Sequence, residues 1–258
     1  MLLHFYKYQG TGNDFMIVDN REGLIQLSNK QVALLCDRHF GIGADGLMLL
    51  NKHDNYDFEM VYYNADGALG TMCGNGGRCL TKFAFDQGIQ PSRYTFIAYD
   101  GEHESVIDPN GWIHLKMIDV HEVSFENEST ILNTGSPHYI KPVLGLSNYD
   151  VFAEGKKIRY NETYSQKGIN VNFVEWNDNE LFVRTYERGV ENETFSCGTG
   201  ITAAAIAMSA NNVGQQETKI RTLGGSLLIK FNKIDAMHFT DVWLCGPASF
   251  VYEGQIII

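Results

Sequence analysis

Phe58-Glu-Met-Val-Tyr-Tyr-Asn64 runs through a glycine-containing turn into Met72-Cys-Gly-Asn-Gly76, and Leu181-Phe-Val-Arg-Thr-Tyr186 runs through Glu-Arg-Gly into Ser196-Cys-Gly-Thr-Gly200. In both copies the β-branched and aromatic run reads as a strand, the glycine as a turn, and the stretch after the cysteine as a helix. More strand-like runs follow each copy. Cys197 lies 124 residues beyond Cys73, close to half of the 258-residue chain, so the pattern is an approximate internal repeat. It predicts an α/β (α+β) protein of two pseudo-symmetric lobes, each with many strands and one main helix. The stretch after Cys197 (TAAAIAMSA) is small and apolar on every side, as expected of a helix enclosed by a sheet. Symmetry puts the boundary near residues 116–120. The N-terminal lobe is then 1–117, joined by the C-terminal strand 249–258, and the C-terminal lobe is 118–248.

Along the whole chain, strands are expected over residues 3–8, 15–18, 57–63, 94–99, 112–118, 171–176, 181–186, 218–222, 226–231, 239–245 and 250–257. Helical signals are few. Ser28 and Gln31 form a capping box ahead of an apolar stretch closed by Gly41, and two more helices begin after the repeated cysteines. Gly41-Ile-Gly43-Ala-Asp-Gly46 fits a dinucleotide fingerprint, but it follows a helix-like segment rather than a strand, so it reads as a tight loop.

Composition narrows the function. Hydrophobic residues make up 44% and charged residues 20%, which favours a packed core over disorder. A net charge of −11 argues against nucleic-acid or anionic-membrane partners. No apolar run approaches the ~18 residues of a membrane span, and no basic, then apolar, leader is present, so a cytoplasmic address is expected. Five cysteines without a CxxC pair make a disulfide framework and a zinc finger poor readings. Cys36, Cys79 and Cys245 fall in apolar stretches and read as core thiols.

Each repeated cysteine sits where a turn enters a helix, so free N–H groups and the positive end of the macrodipole favour thiolate there. The glycines beside it leave bare backbone, a ready cradle for a carboxylate. A dithiol redox pair normally uses cysteines closer in sequence, and a single nucleophilic cysteine calls for an adjacent base. Inverting a stereocentre does need two equivalent groups: one takes the α-proton from one face while the other delivers a proton to the opposite face. No motif for an electron-sink cofactor or a metal is present, so neither is expected.

Further blocks sharpen this reading. Gly10-Thr-Gly-Asn13-Asp-Phe15, residues 37–43, Tyr63-Asn64-Ala-Asp-Gly67, Met72-Cys73 through Arg78, Gly135-Ser-Pro-His138, Asn170-Val-Asn-Phe173, Glu187-Arg188-Gly189, Ser196 through Gly200 and Gly246-Pro-Ala resemble, in order, the diaminopimelate epimerase family. The resemblance implies two lobes, each a mostly antiparallel sheet or barrel wrapped around a central helix, with the active site in the cleft between them. It also implies cofactor-independent interconversion of LL- and meso-diaminopimelate, a step in lysine and peptidoglycan precursor synthesis, and a homodimer. Carried over by position, Cys73 and Cys197 are the proton donor and acceptor, and the N–H groups of Gly74, Asn75, Gly198 and Thr199 hold the α-carboxylate. Asn13, Asn64, Asn170 and Arg188 bind polar substrate groups, Glu187 accepts from a substrate ammonium or modulates the thiols, and His138 tunes thiol ionisation.

On residue chemistry alone, Asn13 and Asn64 also suit turn capping, His138 a satisfied loop histidine, and Glu187–Arg188 a solvated pair. The chain departs from the family at Ser136, where many members have Asn, at Gly46, where some have Gln, and by one extra residue between Arg188 and Cys197. These departures keep open a related racemase acting on another amino acid, such as histidine. A proline-racemase-like enzyme shares the thiol logic but carries His where Asn75 stands. A non-catalytic amino-acid-binding protein is expected to lose a cysteine, and none is lost.

Overall fold

A computed structural model describes residues 1–258, which form two compact units: Met1–Leu115 with Gly246–Ile258, and Lys116–Cys245. No helix is long and apolar enough to cross a membrane.

The first unit contains β1 (Leu2–Gly10), β2 (Asn13–Asp19), α1 (Asn29–Cys36), β3 (Gly46–Asn51), β4 (Phe58–Asn64), α2 (Gly74–Asp86), β5 (Tyr94–Ala98), β6 (Gly101–Ile107) and β7 (Ile113–Lys116). The chain's last strand, Ser249–Ile257, pairs antiparallel with β1. From there the order follows the sequence. β1–β2, β3–β4, β5–β6 and β6–β7 are antiparallel, while β2–β3 and β4–β5 are parallel. The parallel joints are where α1 and α2 intervene, because a parallel pair needs a crossover long enough to bring the chain back.

In the second unit the elements are β8 (Val123–Glu126), β9 (Ser129–Asn133), β10 (Pro137–Pro142), α3 (Val151–Arg159), β11 (Asn170–Asn177), β12 (Glu180–Glu187), β13 (Asn192–Thr194), α4 (Gly198–Ala207), β14 (Gly214–Thr222), β15 (Gly225–Lys233) and β16 (Phe239–Gly246). Its pairing repeats the first: β9–β10 antiparallel, β10–β11 parallel across α3, β11–β12 antiparallel, β12–β14 parallel across α4, then β14–β15 and β15–β16 antiparallel. β13 is a short extra partner on β12.

The central helices follow their sequences. α4 is built of small and apolar residues, and Gly198 and Gly200 through Ile206 are buried. α2 buries even Arg78, whose guanidinium donates to Asn75 Oδ1 at 3.1 Å and Thr11 Oγ1 at 3.1 Å. Thr81 and Thr202 turn their hydroxyls back onto the carbonyls of Gly77 and Gly198, four residues earlier, which lets polar residues sit inside the sheets.

Three sequence expectations change. α3 was not expected: its nine residues include four charged ones and a glycine, yet Asp150 caps Ala153 N at 3.0 Å and the helix buries Val151 and Gly155. The run after Gly46 is not a short apolar tail but the buried strand β3, whose continuous burial erases the alternation that marks half-exposed strands. β6, β8, β9, β10 and β13 were also unforeseen; they are short or polar, and partner strands supply their order. The capping box at Ser28 is present in full.

Candidate active site

Cys73 is the N-cap of α2 and Cys197 the N-cap of α4, and neither side chain caps its own helix. Each thiol therefore sits at the start of a helix whose first-turn N–H groups have no intrahelical acceptor. The macrodipole favours thiolate by about 0.3–1 kcal/mol at such a position. That contribution is alike for both cysteines, so differences between them come from burial and from their neighbours. Cys197 is buried and Cys73 partly exposed, and neither is in a disulfide.

Around Cys73, the first unit gathers Asn13, Asn75 and a group of charges. Cys73 Sγ lies 3.7 Å from Asn13 Oδ1, which also accepts from Asn75 Nδ2 at 3.3 Å. The Asn13 amide donates to Asp45 Oδ2 at 2.7 Å. Asp45 in turn accepts from Arg38 Nη2 at 2.8 Å, and Arg38 grips Asp14 through both terminal nitrogens at 3.1 and 2.6 Å. Buried Lys7 pairs with Asp14 at 2.7 Å and donates to Gly43 O. Burial pulls the Asp14 carboxyl upward, but hydrogen bonds from Arg38 and Lys7 hold it at about 2. Asn13 is thus held by a charged scaffold and does not cap a turn.

Asp45 follows the Gly41–Gly43 loop, which turns back onto α1: Ile42 N and Gly43 N donate to Leu35 O, and Ala44 N donates to Cys36 O. These bonds satisfy carbonyls that the helix end leaves open. Asn64 is exposed at the end of β4, its backbone closing a turn with Gly67 and Ala68. Gly46 pairs with Asn64 across β3–β4, and a Cβ there would fall 2.6 Å from Tyr62 Cε2, so the Tyr62 ring fills the space of a side chain at 46.

Around Cys197, the second unit gathers His138, Thr199 and Asn172. Thr199 Oγ1 lies 3.5 Å from Cys197 Sγ and 2.9 Å from His138 Nε2. Asn172 Nδ2 lies 3.1 Å from His138 Nδ1 and 3.3 Å from the Tyr139 carbonyl, and its Oδ1 accepts from Thr185 Oγ1 at 2.9 Å. Gly200 packs against this group, since a Cβ there would meet Asn172 Oδ1 at 2.4 Å.

Burial, and then the Arg188 charge, push His138 down to about 3 from its usual 6.5. At neutral pH His138 is therefore an uncharged imidazole. An unfolded chain protonates this histidine near 6.5 while the folded one does not until about 3, so stability falls as pH drops through that window. His138→Gln is expected to shrink the loss between pH 7 and pH 4.5, measured by urea unfolding. Asp14 acts lower, its contribution lost between 3.8 and about 2.

Asn170, Arg188 and Ser136 form a second polar cluster in this unit. Asn170 Nδ2 donates to Ser136 Oγ at 2.9 Å, its Oδ1 accepts from Arg188 N at 2.8 Å, and Arg188 Nη2 reaches Ser136 Oγ at 3.3 Å. Glu187 Oε2 accepts from Thr194 Oγ1 at 2.8 Å across the β12–β13 hairpin. In the loop of that hairpin Gly189 and Glu191 both take positive φ. Sequence reasoning missed Asp45, Asn172 and Thr185. Asn172 had a signal, because two residues on from Asn170 it shares a strand face with it.

The sequence model of the family described as diaminopimelate epimerase matches residues 5–120 and 130–251. A diaminopimelate epimerase from Flavobacterium psychrophilum is 50% identical, covering 98% of this chain and 100% of that protein. One from Chlorobaculum tepidum is 40% identical, over 96% of this chain and 99% of that protein. Among solved structures, a phenazine biosynthesis protein of the PhzF family from Bacillus anthracis superposes with a TM-score of 0.74 at 15% identity, covering 100% of both chains; at that identity the likeness concerns the fold.

Proposed function

The chain belongs to the diaminopimelate epimerase family, and from that premise we propose that it interconverts LL- and meso-diaminopimelate with Cys73 and Cys197 as paired base and acid. One observation carries the mechanism: both cysteines of the repeat are helix N-caps beside bare glycine backbone, so each offers a sulfur and a set of N–H donors at one point. One sulfur, as thiolate, takes the α-proton. The other, as thiol, delivers its proton to the opposite face, and the stereocentre inverts. The N–H groups of Gly74, Asn75, Gly198 and Thr199 hold the α-carboxylate and stabilise the charge that develops on it, the interaction that lowers such a barrier most.

At the far end of the substrate, Arg188, Asn170 and Ser136 recognise the second amino-acid head, with Asn64 and Glu187 as further polar partners. Arg188 is suited to a carboxylate because its planar fork can donate two parallel hydrogen bonds. In this chain the Ser136 hydroxyl takes the place of the amide found in many family members, and it already contacts both Asn170 and Arg188. Arg188→Lys keeps the charge but loses the fork. It is expected to raise KM for diaminopimelate about tenfold or more with a smaller change in kcat, read from steady-state kinetics.

The test of the function is proton exchange in heavy water. Deuterium enters the α-position of diaminopimelate as the isomers interconvert, followed by NMR. Exchange with histidine and none with diaminopimelate favours the racemase reading instead. A homodimer is also proposed, on the exposed Phe250 and Tyr252 of the last strand, which lie two residues apart and so share one face of it. Light scattering giving the single-chain mass of 29.0 kDa overturns it.

A further inference from the structure

Arg188, placed above against the second amino-acid head, directly follows β12 and is exposed. A long exposed side chain samples many rotamers, and holding it in one of them before a ligand arrives lowers the ordering cost of binding. The second unit carries such a hold. Arg188 Nη1 donates to the Lys167 carbonyl at 3.2 Å, beside the contact of Nη2 with Ser136 Oγ. The next residue, Gly168, is buried with a φ of 74°, and a Cβ there would fall 2.5 Å from Arg188 Cδ. The Arg188 stem thus lies directly on bare backbone.

The loop that presents Lys167 and Gly168 is held from its other side by Arg159, the last residue of α3. Arg159 Nη1 donates to the carbonyls of Tyr164 and Ser165, both at 3.4 Å, and Gly168 N closes the turn onto Tyr164 O at 2.8 Å. The same Cβ at 168 would fall 2.9 Å from Arg159 Cζ, so Gly168 passes between two arginine side chains. Two guanidinium groups meeting at one glycine repel each other, and a counter-charge beside Arg159 relieves this. Glu191 supplies it, with Oε1 3.2 Å from Arg159 Nη2. That oxygen also accepts from Gly189 N at 3.2 Å, and the Tyr186 hydroxyl donates to Oε2 at 3.3 Å. Burial raises the Glu191 carboxyl, but the hydrogen bond from Gly189 N and the Arg159 charge help to hold it below the usual range, so the pair is ionic at neutral pH. Glu191 has a φ of 56°, left-handed backbone that strains a residue with a Cβ, and its carboxylate contacts hold it there.

We propose that Arg159, Gly168 and Glu191 are positioning residues for Arg188, fixing its fork where the second carboxylate of the substrate arrives. The inference rests on the epimerase reading with Arg188 at the distal head, and adds which residues set that specificity. Arg159 and Gly168 fix the side chain through the 160–168 loop. Glu191 fixes the backbone that bears it, through Gly189, and matches the Arg159 charge so that the Arg188 charge is left for the ligand. Asn170, whose Oδ1 accepts from Arg188 N, joins the two ends of this arrangement, since it lies two residues beyond Gly168.

The test is steady-state kinetics of Gly168→Ala and Arg159→Gln. A methyl group at 168 meets atoms of two flexible side chains, not backbone, so the fold is retained while Arg188 is pushed aside. Gly145→Ala, in the same unit, is the control: its φ is 70° and nothing lies within 4 Å of its Cβ position. Gly168→Ala and Arg159→Gln are each expected to raise KM for diaminopimelate about three- to tenfold with kcat within about twofold, and Gly145→Ala to move neither. In an Arg188→Ala background neither substitution lowers kcat/KM further, because the group they position is gone. A merely structural role lowers apparent kcat through lost folded protein and leaves KM in place; that result, or full additivity with Arg188→Ala, overturns the inference. A crystal structure of Gly168→Ala gives a readout free of any substrate: Arg188 is expected to leave the Lys167 carbonyl, and Arg188 still bonded there overturns the inference too. No deuterium entering diaminopimelate in the parent, with Arg188 displaced in that crystal structure, rejects the epimerase reading alone. Exchange in the parent with KM unmoved in both variants rejects only this inference.

Discussion

Cys73→Ala and Cys197→Ala are each expected to stop inversion of diaminopimelate, lowering turnover by at least about 10³-fold, or about 4 kcal/mol of barrier. A proton must leave one face and arrive at the other, and water placed in the vacated space is a far weaker acid or base than a thiol at a helix N-cap. The two variants are expected to differ in what remains. With one thiolate left, the α-proton that faces it can still be removed and replaced by a solvent deuteron from the same side. Each variant then exchanges one isomer without converting it, and the two variants choose opposite isomers. Chiral chromatography coupled to mass spectrometry reads both quantities at once. Inversion at parental rate in either variant removes the two-thiol mechanism.

Gly41→Ala is expected to cost about 3 kcal/mol of stability, a fall of ~6–12 °C in the unfolding midpoint of a protein of this size. A Cβ at this position would lie 2.0 Å from Leu34 O and 2.7 Å from Leu35 O. Both are backbone atoms, so no rotamer can relieve the clash. The loop must lift off α1, and the bonds from Ile42, Gly43 and Ala44 to the helix end, each worth about 1 kcal/mol net, go with it. Because Asp45 lies next along the chain and orients Asn13, the variant is also expected to lose turnover beyond its loss of folded protein. Gly111→Ala is the control: Gly111, unlike Gly41, takes a positive φ, and nothing lies within 4 Å of its Cβ position. Its cost is confined to backbone strain, about 1 kcal/mol. Calorimetry on the two variants separates the effects, and equal midpoints contradict the packing argument.

The legible parts of this fold share a physical trait: the information is local. The capping box at Ser28 needs three residues and forms as read. The cysteines at the starts of α2 and α4 were visible because a strand, a turn and glycine-flanked sulfur recur in order. α3 and β3 were hidden because their signals are not local. α3 has a polar surface and is held by packing against β11 and β12, while β3 is buried on both faces and shows no alternation. The repeated pairing scheme shows that α3 occupies in the second unit the place α1 holds in the first, as the crossover of a parallel joint. Topology supplied what periodicity did not.

For the site, sequence alone determined the two thiols, their glycine backbone and the family to which the chain belongs, because a short motif repeated in order along most of the chain carries that information without any folding. Only the tertiary structure decided the surroundings of each sulfur. Hydrogen bonds pass between strands through side chains and carbonyls far apart in the chain, from Asp45 to Asn13 and from Tyr139 through Asn172, His138 and Thr199. Two near-identical sequence motifs thus acquire different neighbours, since a motif specifies which atoms are present and the fold specifies which side chains face them.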